Sequence, residues 1–407
     1  MTSPDAVPTV SLADIEHARE VLTGTALVTP MEGSRWLSSL TGGRVALKCE
    51  NLQRTGSFKI RGAYLRIANL SEEERARGVV AASAGNHAQG VALAAGLLGT
   101  KATVFMPKGA PIPKEHATRG YGADVRFAGT TIDEALVSAR TFSQETGAVL
   151  IHPFDHVDIV AGQGTCGLEI LEQCEDADTV VVPTGGGGFL AGVATAVKSV
   201  RPEIRVIGVQ AEAAAAYPGS LRAGHPVPLE RMSTMADGIA VGCPGEVPFA
   251  AVQQYVDEIR TVSEESLSTA LLALLERAKV VVEPAGAAAV AAVMDTPHDF
   301  RGTTVAVLSG GNIDPLLLMR VIRHGMAAAG RYLVFKVRIP DAPGALARLL
   351  TLLGEADANV LDVVHERTSA SLHLDEVEVA LQLETRGSPH ADEVLATMAA
   401  AGYRVSG

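Results

Sequence analysis

The first residue with obvious chemical potential is a lysine among small and apolar neighbours. Lys59 lies in Ser57-Phe58-Lys59-Ile60-Arg61-Gly62-Ala63, after a loop at 53–56 and at the start of an expected helix. The positive end of a helix and partial burial both disfavour an ammonium, which makes the amine a better nucleophile. A lysine snorkelling from a helix is the plainer alternative. Ser83-Ala84-Gly85-Asn86-His87-Ala88 follows an apolar run and opens a second helix. Such a turn offers backbone N–H groups and the helix dipole to an anion, for example a substrate carboxylate. Asn86 would orient a ring oxygen or a carboxylate, and His87 is expected to offer its backbone N–H rather than its imidazole. An ordinary turn capped by Ser83 is the alternative. Gly185, Gly186, Gly187 and Gly188 form a third feature, again between a strand and a helix. Consecutive glycines let the backbone approach a phosphate closely. Gly186 to Ala191 also fits GxGxxA, a dinucleotide fingerprint. That fingerprint wants an acidic residue ending the next strand, where Gln210 stands instead, with Glu212 two residues later. It is also expected early in a domain, so the dinucleotide reading ranks second. Finally, Ser309-Gly310-Gly311-Asn312 places a hydroxyl at a strand's carboxyl end, the side on which open α/β sheets bind ligands. A structural turn is the alternative there.

The elements that must hold these residues are short apolar strands alternating with helices. Strands are expected at 45–49, 79–82, 102–106, 149–152, 179–183, 206–209 and 304–308. Several are apolar at nearly every position, the mark of parallel strands covered on both faces. Helices at 88–98, 132–144 and 190–200 suit right-handed crossovers. Ser11 caps a first helix whose apolar face is Leu12, Ile15, Ala18, Val21 and Leu22. The class is α/β. Beyond residue 331 the pattern becomes βαββαβ, a ferredoxin-like unit, with the boundary placed in a helical linker at 325–331.

A chain of 407 residues is long for one core, so two or three domains are expected. Its net charge of -12 argues against a nucleic-acid partner and against bulk attraction to anionic lipid. Cys49, Cys166, Cys174 and Cys243 have no CxxC spacing and no histidine cluster, so a zinc site is not expected. They read as reduced thiols. Residues 1–10 lack the basic start and apolar run of a signal peptide, and no apolar stretch is long enough for a membrane span. A cytoplasmic protein is expected.

In their order along roughly the first 325 residues, SFKIRGA, SAGNHAQG, GGGG and SGGN resemble the threonine/serine dehydratase family of fold-type II pyridoxal-phosphate enzymes. Residues 332–407 look like an ACT domain, with Asp341-Ala342-Pro343-Gly344-Ala345-Leu346 fitting its DxPGxL turn. The arrangement is similar to threonine ammonia-lyases with one C-terminal ACT module. The resemblance implies a catalytic domain at 1–330, tryptophan synthase β-like in its two lobes, and a regulatory domain at 331–407. The small lobe would run from about 62 to 153 and the large lobe would combine 1–61 with 154–325.

The same resemblance implies that Lys59 attaches pyridoxal 5'-phosphate through an imine and later takes the substrate α-proton. Phe58 would pack beside the ring, Asn86 would bond its phenolic oxygen, Gly185 to Gly188 would bind the phosphate, and Ser309 would face the pyridine nitrogen. A neutral hydroxyl there favours β-elimination over chemistry that needs a strong electron sink. Ser83, Gly85, Asn86 and His87 would bind the substrate carboxylate, and Gly238, in Ala236–Ala240, would line the substrate side. Glu283 would stand behind the cofactor contacts, its alternative being a helix N-terminal carboxylate. Gln210 carries no charge for a hard cation, so no metal is assigned. The implied reaction takes L-threonine to 2-oxobutanoate and ammonia, and L-serine to pyruvate. Serine racemases of the family carry a second serine where this chain has Ala84, and racemisation needs proton exchange on both faces, so Ala84 favours a lyase. A nicotinamide-dependent dehydrogenase is a remote alternative that leaves Lys59 without a role. In the ACT module an amino-acid effector would bind near Gly344 and Asn359 at a subunit interface of a homo-oligomer, a dimer or tetramer. Dimerisation alone is the other reading.

Overall fold

The computed structural model describes residues 7–367 and 373–406. Residues 1–6, part of the stretch read above for a leader, lie outside the described residues. The chain forms two compact units, residues 1–315 and 316–407. The division falls ahead of the 325–331 linker, so nearly all of helix Pro315–Ala328 goes with the second unit.

The first unit holds two sheets. The larger runs Met31–Gly33, Arg44–Lys48, Thr303–Val307, Thr179–Pro183, Arg205–Ala211, Glu258–Val262 in spatial order. Only its first pair is antiparallel. The smaller, Asp124–Phe127, Ala102–Met106, Val79–Ala82, Val149–Leu150, is wholly parallel. The smaller sheet comes from one continuous stretch, and the larger from the segments on both sides of it. Every residue of Val79–Ala82, Ala102–Met106 and Thr179–Pro183 is buried, as helices on both faces require. Val180 and Val182 pack with Leu190, Val193 and Val197 of helix Gly188–Val200. That helix presses on helix Val157–Gln173 so tightly that a β-carbon on Gly192 would stand 2.3 Å from the Val160 carbonyl oxygen.

Three strands without an uninterrupted apolar run, Met31–Gly33, Asp124–Phe127 and Glu258–Val262, join sheet edges. The strand expected at 149–152 stops at Leu150; the Ile151 amide still donates to the Val80 carbonyl at 2.9 Å, while its own carbonyl is taken by the His87 ring at 2.9 Å.

The second unit follows the βαββαβ order: Tyr332–Pro340, Ala345–Glu355, Asn359–Glu366, Glu376–Glu384, Ser388–Ala400, Val405–Ser406. Its strands lie second, third, first, fourth, with antiparallel neighbours. Phe335, Val337 and Ile339 alternate inward and meet Val377, Val379, Leu381, Leu349 and Val394. Among the described residues no helix is long and apolar enough to cross a membrane.

Candidate active site

Parallel strands put their carboxyl ends on one edge of each sheet, and the motifs sit on those edges. Val79–Ala82 leads into Ser83, Thr179–Pro183 into the glycines, and Thr303–Val307 into Ser309. They open on one cavity of about 810 Å³, lined among others by Phe58, Lys59, Ser83, Gly85, Asn86 and His87. Gly185, Gly187, Gly188, Gly238, Glu283 and Ser309 line it too. Gly186 does not. Its carbonyl accepts from Tyr217 Oη at 3.4 Å and from the Gly245 amide at 3.1 Å.

Lys59 is the first residue of helix Lys59–Ala68. The loop before it is stitched to the serine turn: Phe58 N–H donates to the Ser309 carbonyl at 3.2 Å, and Gly311 N–H to the Gly56 carbonyl at 2.8 Å. The Phe58 ring stacks on Phe189 with centroids 3.9 Å apart and planes 6° from parallel. The anchor loop and the glycine turn are therefore in direct contact. Lys59 Nζ donates to the Pro153 carbonyl at 2.9 Å. Its side chain keeps some accessible surface because it faces the cavity, but it stands deep in the protein. Burial pulls its pKa from 10.5 to about 8, against a smaller upward pull from Glu283.

The glycine turn is shaped for close approach. Gly187 has φ +100°, and a β-carbon there would fall 1.8 Å from Tyr217 Oη. The backbone N–H groups of Gly185 to Gly188 find no acceptor among the described residues, and the turn caps the 13-residue helix Gly188–Val200. Unsatisfied N–H groups at a helix start are an anion site.

The Ser83 turn is held internally, its Oγ accepting from the Gly85 amide at 3.2 Å. Gly85 caps helix Asn86–Leu97. The His87 imidazole turns away to the Ile151 carbonyl at 2.9 Å. A carbonyl only accepts, so Nε2 carries the proton. Burial, then the charge of Lys59, lower its pKa to about 3, so the ring is neutral. Asn86 Nδ2 donates to Glu283 Oε1 at 2.6 Å, and Asn312 Nδ2 donates to Asn86 Oδ1 at 2.8 Å. Glu283 is buried and its Oε2 has no partner among the described residues. Burial, reinforced by Asp237, raises its pKa to about 7. Ser309 Oγ has one long bond, 3.4 Å to the Ala285 carbonyl.

Behind the site lies a buried ionic cluster. Arg61, 1% exposed, forms paired bonds to Glu50 (2.7 and 2.8 Å) and Glu169 (2.6 and 2.9 Å). Lys48 Nζ completes it at 2.5 Å from Glu169. Burial pushes Glu50 up, but Arg61 and Lys48 outweigh it and hold the carboxyl below its ordinary range. Gln210 is buried, and its Oε1 accepts from the Tyr217 amide at 2.9 Å.

Phe189, Asn312, Lys114 and the Pro153 carbonyl were not assigned roles from sequence. Asn312 stands in the SGGN motif, which was its available signal. Lys114 had none. In the second unit Gly344 begins helix Ala345–Glu355 with φ +82°, and Asn359, past its far end, donates to Glu384 at 3.2 Å. The helix between them is about 16 Å long at ~1.5 Å per residue, and Asn359 pairs with Glu384 at the sheet end opposite the Pro340–Glu376 pair that precedes Gly344, so one small ligand on a single chain does not reach both.

The profile of the family described as pyridoxal-phosphate dependent enzymes matches residues 22–310, and the chain belongs to that family. Its two-sheet α/β unit is of fold-type II. Within the family the chain is 49% identical over 397 residues to an L-threonine ammonia-lyase of Thermotoga maritima, covering 97% of this chain and 99% of that protein. It is similar in structure to threonine deaminase isoform 2 of Solanum lycopersicum (TM-score 0.73, 39% identity, 77% of this chain and 92% of that one). Maize serine racemase is also similar (TM-score 0.73, 33% identity, 79% and 99%).

Proposed function

We propose that the first unit is a pyridoxal-phosphate lyase that converts L-threonine to 2-oxobutanoate and ammonia, and L-serine to pyruvate. One observation carries the reading: a shielded amine, Lys59, shares a cavity with the free N–H groups of the glycine turn and of Asn86 and His87 at the helix start after Ser83. The residues fit the cofactor. The glycine N–H groups would hold its phosphate, Lys59 Nζ its aldehyde carbon, and Ser309 Oγ, almost without a partner here, its ring nitrogen. Asn86 Nδ2 keeps one N–H for the ring oxygen after donating the other to Glu283. When bound, pyridoxal phosphate withdraws electrons and acidifies the substrate Cα–H.

Lys59 Nζ takes that α-proton, which it does as the neutral amine, a form accessible near pH 8. The helix start at Ser83, Gly85, Asn86 and His87 holds the substrate carboxylate, and neutral His87 brings no competing charge. Ser309 offers a hydroxyl rather than a carboxylate, which favours loss of the β-substituent. The β-hydroxyl leaves as water, and water later releases ammonia, so threonine yields one 2-oxobutanoate and one ammonia. Ala84 lines the cavity without an acid or base, which disfavours racemisation. A nicotinamide reading gives Lys59 nothing to do.

The second unit fits an ACT-type module that binds an amino-acid effector between two copies of the chain, at Gly344 of one and Asn359 of the other. That assigns a homo-oligomer. A cytoplasmic setting suits the four free cysteines.

The test is a spectrum and a substrate panel. The protein supplied with pyridoxal phosphate should gain visible absorbance and release 2-oxo acid from threonine and serine, and Lys59→Ala should lose both. A colourless protein, or D-serine as the main product from L-serine, overturns the reading.

A further inference from the structure

Lys114 stands over the carboxylate turn with a role still open. It lies in helix Ile112–Gly120, and its Nζ donates to Asp237 Oδ2 at 2.5 Å. Asp237 comes from the far side of the cavity, in the short helix Asp237–Ile239 beside Gly238. The lysine side chain is 9% exposed and the aspartate 54%, so the ammonium is the enclosed partner. A β-carbon on Gly85 would lie 3.9 Å from Lys114 Nζ. The ammonium therefore overlooks the start of helix Asn86–Leu97, where the N–H groups of Asn86, His87 and Ala88 find no acceptor among the described residues.

Charge balance makes this position consequential. Asp237 and Glu283 both line the cavity near the turn. A substrate α-carboxylate placed at the turn would be a further anion beside Asp237, with Glu283 partly ionised near pH 7, in a partly desolvated space where like charges repel strongly. Lys59 is committed to the reacting carbon, which leaves Lys114 as the cation facing that anion.

We propose that Lys114 selects substrates bearing a free α-carboxylate, with Asp237 as its internal competitor. The ammonium is shared between Asp237 and the incoming carboxylate, and no bond other than hydrogen bonds changes. This rests on the cavity being the amino-acid site described above.

Two substitutions with opposite predicted signs test it. In Lys114→Met holoenzyme, KM for L-threonine should rise about tenfold or more while kcat stays within about threefold, since binding common to ground and transition states is lost. In Asp237→Asn, KM should fall, because the ammonium loses its competitor. Affinities for L-alanine and L-alaninamide, read from the cofactor's visible spectrum, give a second arm that needs no turnover. Lys114→Met should weaken the acid about tenfold and the amide by less than about twofold, a single lost charge contact being worth about that much. A pair that merely braces the cavity walls would be harmed alike from either side. A KM that is unchanged or raised in Asp237→Asn, or acid and amide weakened equally in Lys114→Met, overturns the proposal. If Lys114→Met does not fold, Asp237→Asn still decides it. Unsubstituted protein that binds L-alanine but makes no 2-oxo acid from threonine or serine overturns the lyase reading instead, and the Lys114 arm remains readable.

Discussion

Asn86 and Glu283, 197 residues apart in sequence, meet through a 2.6 Å hydrogen bond from Nδ2 to Oε1 inside the protein. Asn312 fixes the other end of the Asn86 amide. An amide held from both sides has one orientation left, with its remaining N–H directed by its neighbours rather than by solvent.

Glu283→Gln keeps an acceptor for Asn86 but removes the titration. The carboxyl's folded pKa is raised from 4.5 to about 7. Its protonated form is favoured by folding, so its contribution is fully present below about 4.5 and is lost as pH rises through about 7. The melting temperature of Glu283→Gln relative to the parent should therefore climb between pH 5 and pH 8. A flat difference would contradict it. Glu283→Ala, which strands the Asn86 donor, should cost about 1–3 kcal/mol in urea unfolding.

Lys59 titrates the other way. Its folded pKa is lowered from 10.5 to about 8, so the cofactor-free protein gains stability from this group as pH rises from about 8 towards 10.5. Lys59→Met should raise the melting temperature of cofactor-free protein at pH 7, and the gain should vanish near pH 10.5. Melting curves at three pH values check it.

Gly187→Ala forces a β-carbon into the left-handed region and into Tyr217 Oη. A loss of about 1 kcal/mol or more is expected from backbone strain alone. Cofactor retention should fall further than stability does, as equilibrium dialysis against pyridoxal phosphate would measure.

Arg61→Met leaves Glu50 and Glu169 with Lys48 alone. Breaking a buried ion cluster from one side costs about 3–5 kcal/mol. Chemical denaturation should show that loss. Arg61→Lys should recover only part of it, since an ammonium cannot reproduce four forked bonds.

Much of this architecture was legible from residue order. Strands buried on both faces announce themselves by unbroken apolar runs, and Val79–Ala82, Ala102–Met106 and Thr179–Pro183 fall where those runs do. The edge strand Asp124–Phe127 carries Asp, Arg and exposed Phe, and nothing local separates it from a loop. The candidate cavity follows the same division. Lys59, the glycines and Ser309 are marked by their motifs. The Lys114–Asp237 pair, 123 residues apart, exists only once helix Ile112–Gly120 and the short helix Asp237–Ile239 face each other across the cavity. Arg61 sits inside a motif, yet its partners Glu50 and Glu169 lie on other elements.

The near-parallel contact of Phe58 with Phe189 ties the reactive amine's loop to the turn that would cradle an anion. With that spacing set while the chain folds, a ligand arriving later has little to reorganise. Its loading should proceed as a single fast step rather than a slow tightening.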